Sequence, residues 1–280
     1  MNLLRRVIRK AADLRAFPRL AWRGADRKGL WALSLVQNRI PGAWLAAGLM
    51  TGGTRVVTPA LTLSRGQRVR VDLAVPGQRD VFIELFMEQI YDLSCVPFAP
   101  SLVADCGAYC GYFSTMAAGR FLGARIVCFE ANPVQVAVVR KQLDLLEGRV
   151  ELMAAAAYVR AGTITFAGSG TGGGVVDGGA AQGSVEVPCV DLAAWLSGAA
   201  PESLVLKMDV EGAEDVLLPR VLPALPRRCV LFLETHHPDG ACEALLAPYR
   251  AAGFSVREVR RRAATGHNFD YAEWVLARYP

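Results

Sequence analysis

The sequence predicts an α/β protein with a doubly wound, mostly parallel sheet, preceded by a helical and β-hairpin extension. Three observations carry that prediction. Short apolar runs end in acids at Leu102–Asp105 and Ile126–Glu130. A glycine-punctuated turn, with Gly107 and Gly111, follows the first run and opens a stretch at helical spacing. Strand and helix patterns then alternate at a pitch that implies parallel strands joined by right-handed crossovers.

Residues 1–52 read as helical and basic, up to the Thr51-Gly52-Gly53 break. Residues 56–63 and 67–75, joined through Ser64-Arg65-Gly66, alternate as a hairpin does. Phe82 to Leu93 has helical spacing. The wound part is expected as strand 102–105, helix 111–121, strand 125–130, helix 133–146 and strand 149–156. A Gly/Ser/Thr-rich stretch, 161–182, links Thr163–Phe166 to Ser184–Pro188 and is read as a lid, the alternative being a plain flexible link. Next come a short helix opened by Asp191, strand 204–208, helix 213–221, strand 230–233, helix 240–252 and strands near 254–259 and 271–278. Two parts are expected, 1–80 and 81–280.

Composition narrows the class. Of 280 residues, 52% are hydrophobic and 20% charged, which fits a well-buried core and argues against long disorder. The net charge of +5 gathers near the start (Arg5, Arg6, Arg9, Lys10, Arg15) and near the end (Arg257, Arg260, Arg261, Arg262), and reads first as solvated basic faces. Seven cysteines without a Cys-x-x-Cys pair give neither a disulfide framework nor a zinc knuckle, as expected of reduced core thiols in the cytoplasm. The longest apolar stretch, Trp31 to Met50, is broken by Gln37, Asn38, Arg39 and Pro41, so no spanning segment is expected. The start interleaves charges with apolar residues, unlike a signal peptide. Leu3, Leu4, Val7, Ile8, Ala11 and Leu14 share one helical face, which suits packing on its own domain or a second subunit, with peripheral membrane contact as the lesser alternative.

Glycine spacing points to the cofactor. A dinucleotide turn favours Gly-x-Gly-x-x-Gly, whose amides close on a pyrophosphate. Here Asp105-x-Gly107-x-x-x-Gly111 places Ala108 and Tyr109 where that fingerprint would have glycine, which suits an adenosine ligand without phosphates such as S-adenosylmethionine. Glu130, at the end of the next apolar run, is spaced to accept hydrogen bonds from both ribose hydroxyls.

The motifs Asp105-Cys-Gly-Ala-Tyr-Cys-Gly-Tyr-Phe-Ser114, Phe129-Glu-Ala-Asn-Pro133, Leu206-Lys-Met-Asp-Val-Glu-Gly-Ala-Glu214 and Leu233-Glu-Thr-His236 together resemble the FkbM-type family of S-adenosylmethionine-dependent methyltransferases. The resemblance runs from about Phe82 to Leu276. Ala131 stands where the family usually has Pro, and Cys106 and Met208 where Val and Ile are commoner. It implies a Rossmann-like, seven-stranded methyltransferase sheet over 81–280, closed by an antiparallel hairpin. It also implies O-methylation of a hydroxyl on a sugar, glycan or secondary metabolite. A non-catalytic adenosine-ligand sensor or scaffold of the same fold is the alternative.

Four polar clusters meet where ligands of open α/β sheets bind, off the carboxyl ends of the strands. Asp105, Gly107, Ala108 and Gly111 are expected around the amino-acid end of the cofactor, Glu130 at its ribose, and Tyr112 over it or in ordinary packing. Lys207, Asp209 and Glu211 point one way from a strand tip, and Gly212 lets a helix start at once. Asp209 and Glu211 are the catalytic candidates, and Glu214 suits the helix dipole. His236, beside His237, is the candidate base, with loop hydrogen bonding as its alternative role. No metal is the leading expectation. A magnesium ion on Asp209, Glu234 and His236 is the lesser one. Nucleic-acid acceptors are not expected, because no aromatics interleave the basic runs and no Asn/Asp-Pro-Pro-Tyr signature occurs. A homo-oligomer is compatible with the sequence.

Overall fold

The computed structural model describes residues 61–62, 68–70, 77–167, 174–175, 184–236, 241–262 and 271–279. The expected helical region 1–52, most of the hairpin arms, His237 and most of the glycine-rich stretch lie outside them. The chain forms two compact units, Met1–Gln89 and Ile90–Pro280.

In the first unit, β1 (Leu61–Thr62) pairs antiparallel with β2 (Arg68–Val69), as a hairpin requires. Helix α1 (Gln78–Phe82) runs into a π-helical turn, Ile83–Glu88, and stops where Gln89 takes φ 53°. The single helix expected over Phe82–Leu93 is therefore broken. The left-handed backbone at Gln89 ends it, and Asp92 then caps a separate 3-10 turn, Leu93–Cys95, by accepting from the Ser94 amide.

The second unit begins its sheet with β3 (Leu102–Cys106), followed by α2 (Tyr112–Arg120), β4 (Arg125–Phe129), α3 (Pro133–Leu143) and β5 (Glu151–Met153). After it come β6 (Ala156–Tyr158), β7 (Gly162–Ala167), β8 (Gly174–Val175), β9 (Val185–Asp191) and α4 (Leu192–Ala199). The chain closes with β10 (Ser203–Met208), α5 (Glu214–Val221), β11 (Arg228–Thr235), α6 (Ala241–Ala251), β12 (Ser255–Arg262) and β13 (Tyr271–Arg278).

Seven strands form one sheet in the order β12-β13-β11-β10-β3-β4-β5. Only β13 runs against its neighbours, pairing antiparallel with both β11 and β12. This is the mostly parallel, Rossmann-like architecture expected, with its closing antiparallel pair. Chain order reverses between β3 and β10: β4 and β5 extend one way, β11 and the final pair the other. That reversal opens a crevice at the carboxyl ends of β3 and β10.

The run expected as one strand over 149–156 is two. After β5 the chain leaves the large sheet, and β6 joins a four-stranded sheet ordered β6-β9-β7-β8. An unbroken Ala154–Ala157 run gives no local sign of this, since each half is equally apolar. Thr163 pairs with Pro188 and Phe166 with Val185, so the two arms flanking the glycine-rich stretch are indeed antiparallel partners.

Alternation along the central strands sorts the side chains. Leu102, Ala104 and Cys106 of β3 and Leu204, Leu206 and Met208 of β10 share one core with Leu192, Leu196, Leu217, Leu218 and Val221 from the helices. On the other face Tyr91, Phe113 and Phe232 meet edge to face with ring centroids 5.8–5.9 Å apart. Asp105 and Lys207 lie on that second face and are direct neighbours across the β3–β10 pairing. Among the described residues, no helix is long and apolar enough to cross a membrane.

Candidate functional site

The crevice is built first by the turn after β3. Gly107 has φ 81°, and a Cβ there would lie 1.8 Å from the carbonyl oxygen of Asp209, so only glycine lets the two strand ends approach this closely. The amides of Gly107 and Ala108 both donate to the carbonyl of Phe129, at 3.1 and 2.9 Å. Both amides are thus used in shaping the turn. Gly111, with φ 75°, starts α2. Tyr112, immediately after, is fully buried, which fits packing better than a cover over a ligand.

Asp105 is buried as well. Its Oδ2 accepts from Ser114 Oγ at 2.6 Å, and its Oδ1 lies 3.7 Å from Lys207 Nζ without a hydrogen bond. Burial pushes its carboxyl pKa up, while the Lys207 ammonium pulls it back. The acid at the tip of β3 thus braces the strand end through Ser114 and Lys207.

Glu130 stands just past the end of β4 and is 7% exposed. Its Oε2 accepts from the Tyr109 amide at 2.7 Å and its Oε1 from the Asn132 amide at 2.8 Å. Tyr109 takes φ 52° to present that amide, a left-handed conformation uncommon for a tyrosine. Burial raises the Glu130 pKa and the two backbone donors oppose the rise. One bond per oxygen leaves each oxygen a second lone pair, so the carboxylate is oriented yet still able to accept. Asn132 caps α3 by accepting from the Val134 amide.

Across the crevice, β10 and β11 bring a second group together. Glu211 follows β10 with φ 54°. Glu214, at the start of α5, is fully buried and accepts from the amides of Val210 and Gly212, tying the loop between β10 and α5 to the first turn of that helix. His236, just past β11, sits among three carboxylates. Its Nδ1 is 3.1 Å from Glu214 Oε1, and its Nε2 is 3.3 Å from Glu234 Oε1 and 3.4 Å from Glu211 Oε2. Burial works against an imidazolium, but the hydrogen bonds of Glu214 and Glu234 outweigh it and push the His236 pKa up to about 12. A histidine so held keeps its proton at neutral pH, which is unlike the free base the sequence suggested.

The acids move in the opposite sense to a normal carboxylate. Burial, then the neighbouring charge of Asp209, pushes Glu211 up to about 8 and Glu234 up to about 7. Both therefore change protonation near neutrality, the range in which a general base works best. Tyr91, which no motif marked, donates its hydroxyl to Glu234 Oε2 at 3.3 Å and lies 5.9 Å from Lys207 Nζ at the ring centre. Nothing local in the sequence identifies it, because it precedes the sheet and meets Glu234 only through the fold.

Asp209, Glu234 and His236 also offer one ligand atom each within 4.8 Å of one another. Two carboxylates and one imidazole suit a divalent cation, with the imidazole shifting preference from magnesium toward manganese or zinc. The small sheet approaches the same place: a Cβ on Gly174 of β8 would lie 2.6 Å from the carbonyl oxygen of Glu211.

No family model matches the chain, so the FkbM family suggested by its motifs is not shown. A curated relative, catechol O-methyltransferase of Mus musculus, is 39% identical over 69 residues. That alignment covers 23% of this chain and only 26% of the relative's length. Among solved structures, M. jannaschii TYW2 in complex with AdoMet shares 14% identity at a TM-score of 0.43, covering 81% of this chain and 88% of that one. The B. subtilis M1A22 tRNA methyltransferase TrmK shares 9% at 0.38, covering 66% and 63%.

Proposed function

We propose that the protein is an S-adenosylmethionine-dependent methyltransferase that acts on a hydroxyl of a small molecule or glycan. The observation that carries this reading is Glu130, clamped by the Tyr109 and Asn132 amides beside the switch point with lone pairs left for a ribose. The glycine spacing argues against a pyrophosphate ligand and thus against a nicotinamide oxidoreductase. On the facing rim, a group of acids titrating near neutrality suits removal of a hydroxyl proton. Glu211 or Glu234 accepts that proton, while the cationic His236 holds the acids in place. Asp209, with a quarter of its side chain open, orients the acceptor. The methyl group then passes from sulfur to oxygen by in-line displacement: an oxygen lone pair forms the new bond, and the bonding pair of the broken sulfur–carbon bond stays on the departing thioether.

A divalent cation on Asp209, Glu234 and His236, which would displace the ring proton that faces it, forms a second version of this reading, supported by the convergence of their ligand atoms. Such an ion would gather two acceptor oxygens and lower their pKa. The catechol named in the curated relative carries two adjacent hydroxyls, so it is a sensible first probe.

The test is transfer of label from methyl-labelled S-adenosylmethionine to catechol, a sugar diol, an aliphatic amine and bulk tRNA, each with and without manganese. Label on an oxygen acceptor supports the reading, and manganese dependence supports its metal version. Label on the amine or the tRNA alone overturns the acceptor class. S-adenosylmethionine binding without transfer to any acceptor favours the sensor alternative.

A further inference from the structure

Lys207 is an unusual occupant of its position. It stands in β10, whose six residues are all buried, and is itself 4% exposed. A buried ammonium is costly unless its donors are met, and an aliphatic residue would otherwise fill the place better. Its partners come from both sides of the crevice. Lys207 Nζ donates to the carbonyl of Gly107 in the turn after β3. It also lies 3.1 Å from Asp209 Oδ2 and 3.7 Å from Asp105 Oδ1.

Neutralising Asp105 would need only one of these contacts. Asp209 differs, because its side chain is 25% exposed and water could solvate it without a lysine. The same nitrogen nevertheless holds both this half-open acid and the carbonyl of the glycine turn. The backbone repeats the link. The Asp209 amide donates to the Cys106 carbonyl at 3.2 Å, and Gly107 packs on the Asp209 carbonyl too tightly for any Cβ.

Building on the functional reading above, we propose that Lys207 is a positioning residue that couples the cofactor turn to the acceptor-side acid Asp209. It fixes the direction in which Asp209 faces and, through the same ammonium, the carbonyl of Gly107. Filling the cofactor site and setting the acceptor acid are then one event.

A double-mutant cycle tests this, using calorimetric titration of S-adenosylmethionine into wild type, Lys207→Met, Asp209→Asn and the double variant. Each single change is expected to weaken binding about tenfold, and the double variant no further than the weaker single, where independent roles would multiply to about a hundredfold. Multiplying losses overturn the proposal, as does unchanged affinity in a folded Lys207→Met. Should Lys207→Met fail to fold, Asp209→Asn alone decides through the Gly107 amide resonance of the ligand-free protein. That resonance is expected to shift, and an unmoved one overturns the coupling. The resonance also separates the two claims: wild type that binds no S-adenosylmethionine sinks the functional reading, while the Gly107 shift still decides the coupling.

Discussion

At the scale of single residues, His236 shows how neighbours reassign a side chain. A free imidazole titrates near neutrality, and on that basis the sequence reading made it the base. The fold surrounds it with Glu211, Glu214 and Glu234, which come from three separate positions and meet only because β10 and β11 pair in parallel. No spacing rule reveals that convergence. The motif residues were legible, but their protonation was not. Glu211 and Glu234 hold their protons more tightly in the folded chain than in the unfolded one, so folding takes up protons. Their contribution to stability is greatest below about 4.5 and is lost as pH rises through about 7 to 8. His236 has the same sign, with its contribution present below 6.5 and lost as pH rises toward about 12. The melting temperature is therefore expected to fall between pH 5 and pH 9, and Glu211→Gln to flatten that fall. A profile that rises over the range, or a Glu211→Gln slope equal to wild type, would contradict the site electrostatics.

At the scale of elements, the strand-turn-helix units were the most readable part, because each combines an apolar run, a turn glycine and a cap within a dozen residues. Asp191 before Leu192 caps the helix it was expected to open, and Asn132 before Pro133 caps another. The errors fall where tertiary pairing decides. Glu151–Met153 and Ala156–Tyr158 are alike in sequence but join different sheets, and the helical pattern after Phe82 breaks at a left-handed Gln89. Gly107 is where element and site coincide. Gly107→Ala must accept a positive φ and displace the Asp209 carbonyl. The backbone conformation alone costs about 1–2 kcal/mol. A melting temperature at least about 5 °C below wild type is expected, together with weakened S-adenosylmethionine binding. Wild-type stability and affinity in that variant would show that the close turn is not required.

At the scale of the whole molecule, the sheet order brings both groups of candidate residues to one crevice. The reversal between β3 and β10 sets Glu130 on one rim and the Asp209, Glu211, Glu234 and His236 group on the other. The mostly parallel plan was readable from the alternation of patterns, and the seven-stranded sheet with its antiparallel closing pair from the family resemblance. The hydrogen bonds within the crevice were not, since Asp105 meets Ser114, and the Gly107 and Ala108 amides meet the Phe129 carbonyl, only through the fold. The central claim, an adenosine cofactor held at the ribose by Glu130, is tested most directly by calorimetric titration of S-adenosylmethionine into wild type and Glu130→Ala, with NADH as comparator. The account predicts saturable single-site binding to wild type, at least about tenfold weaker binding to Glu130→Ala, and no binding of NADH. Equal affinity in the two proteins would contradict the ribose assignment, and binding of NADH alone would contradict the cofactor.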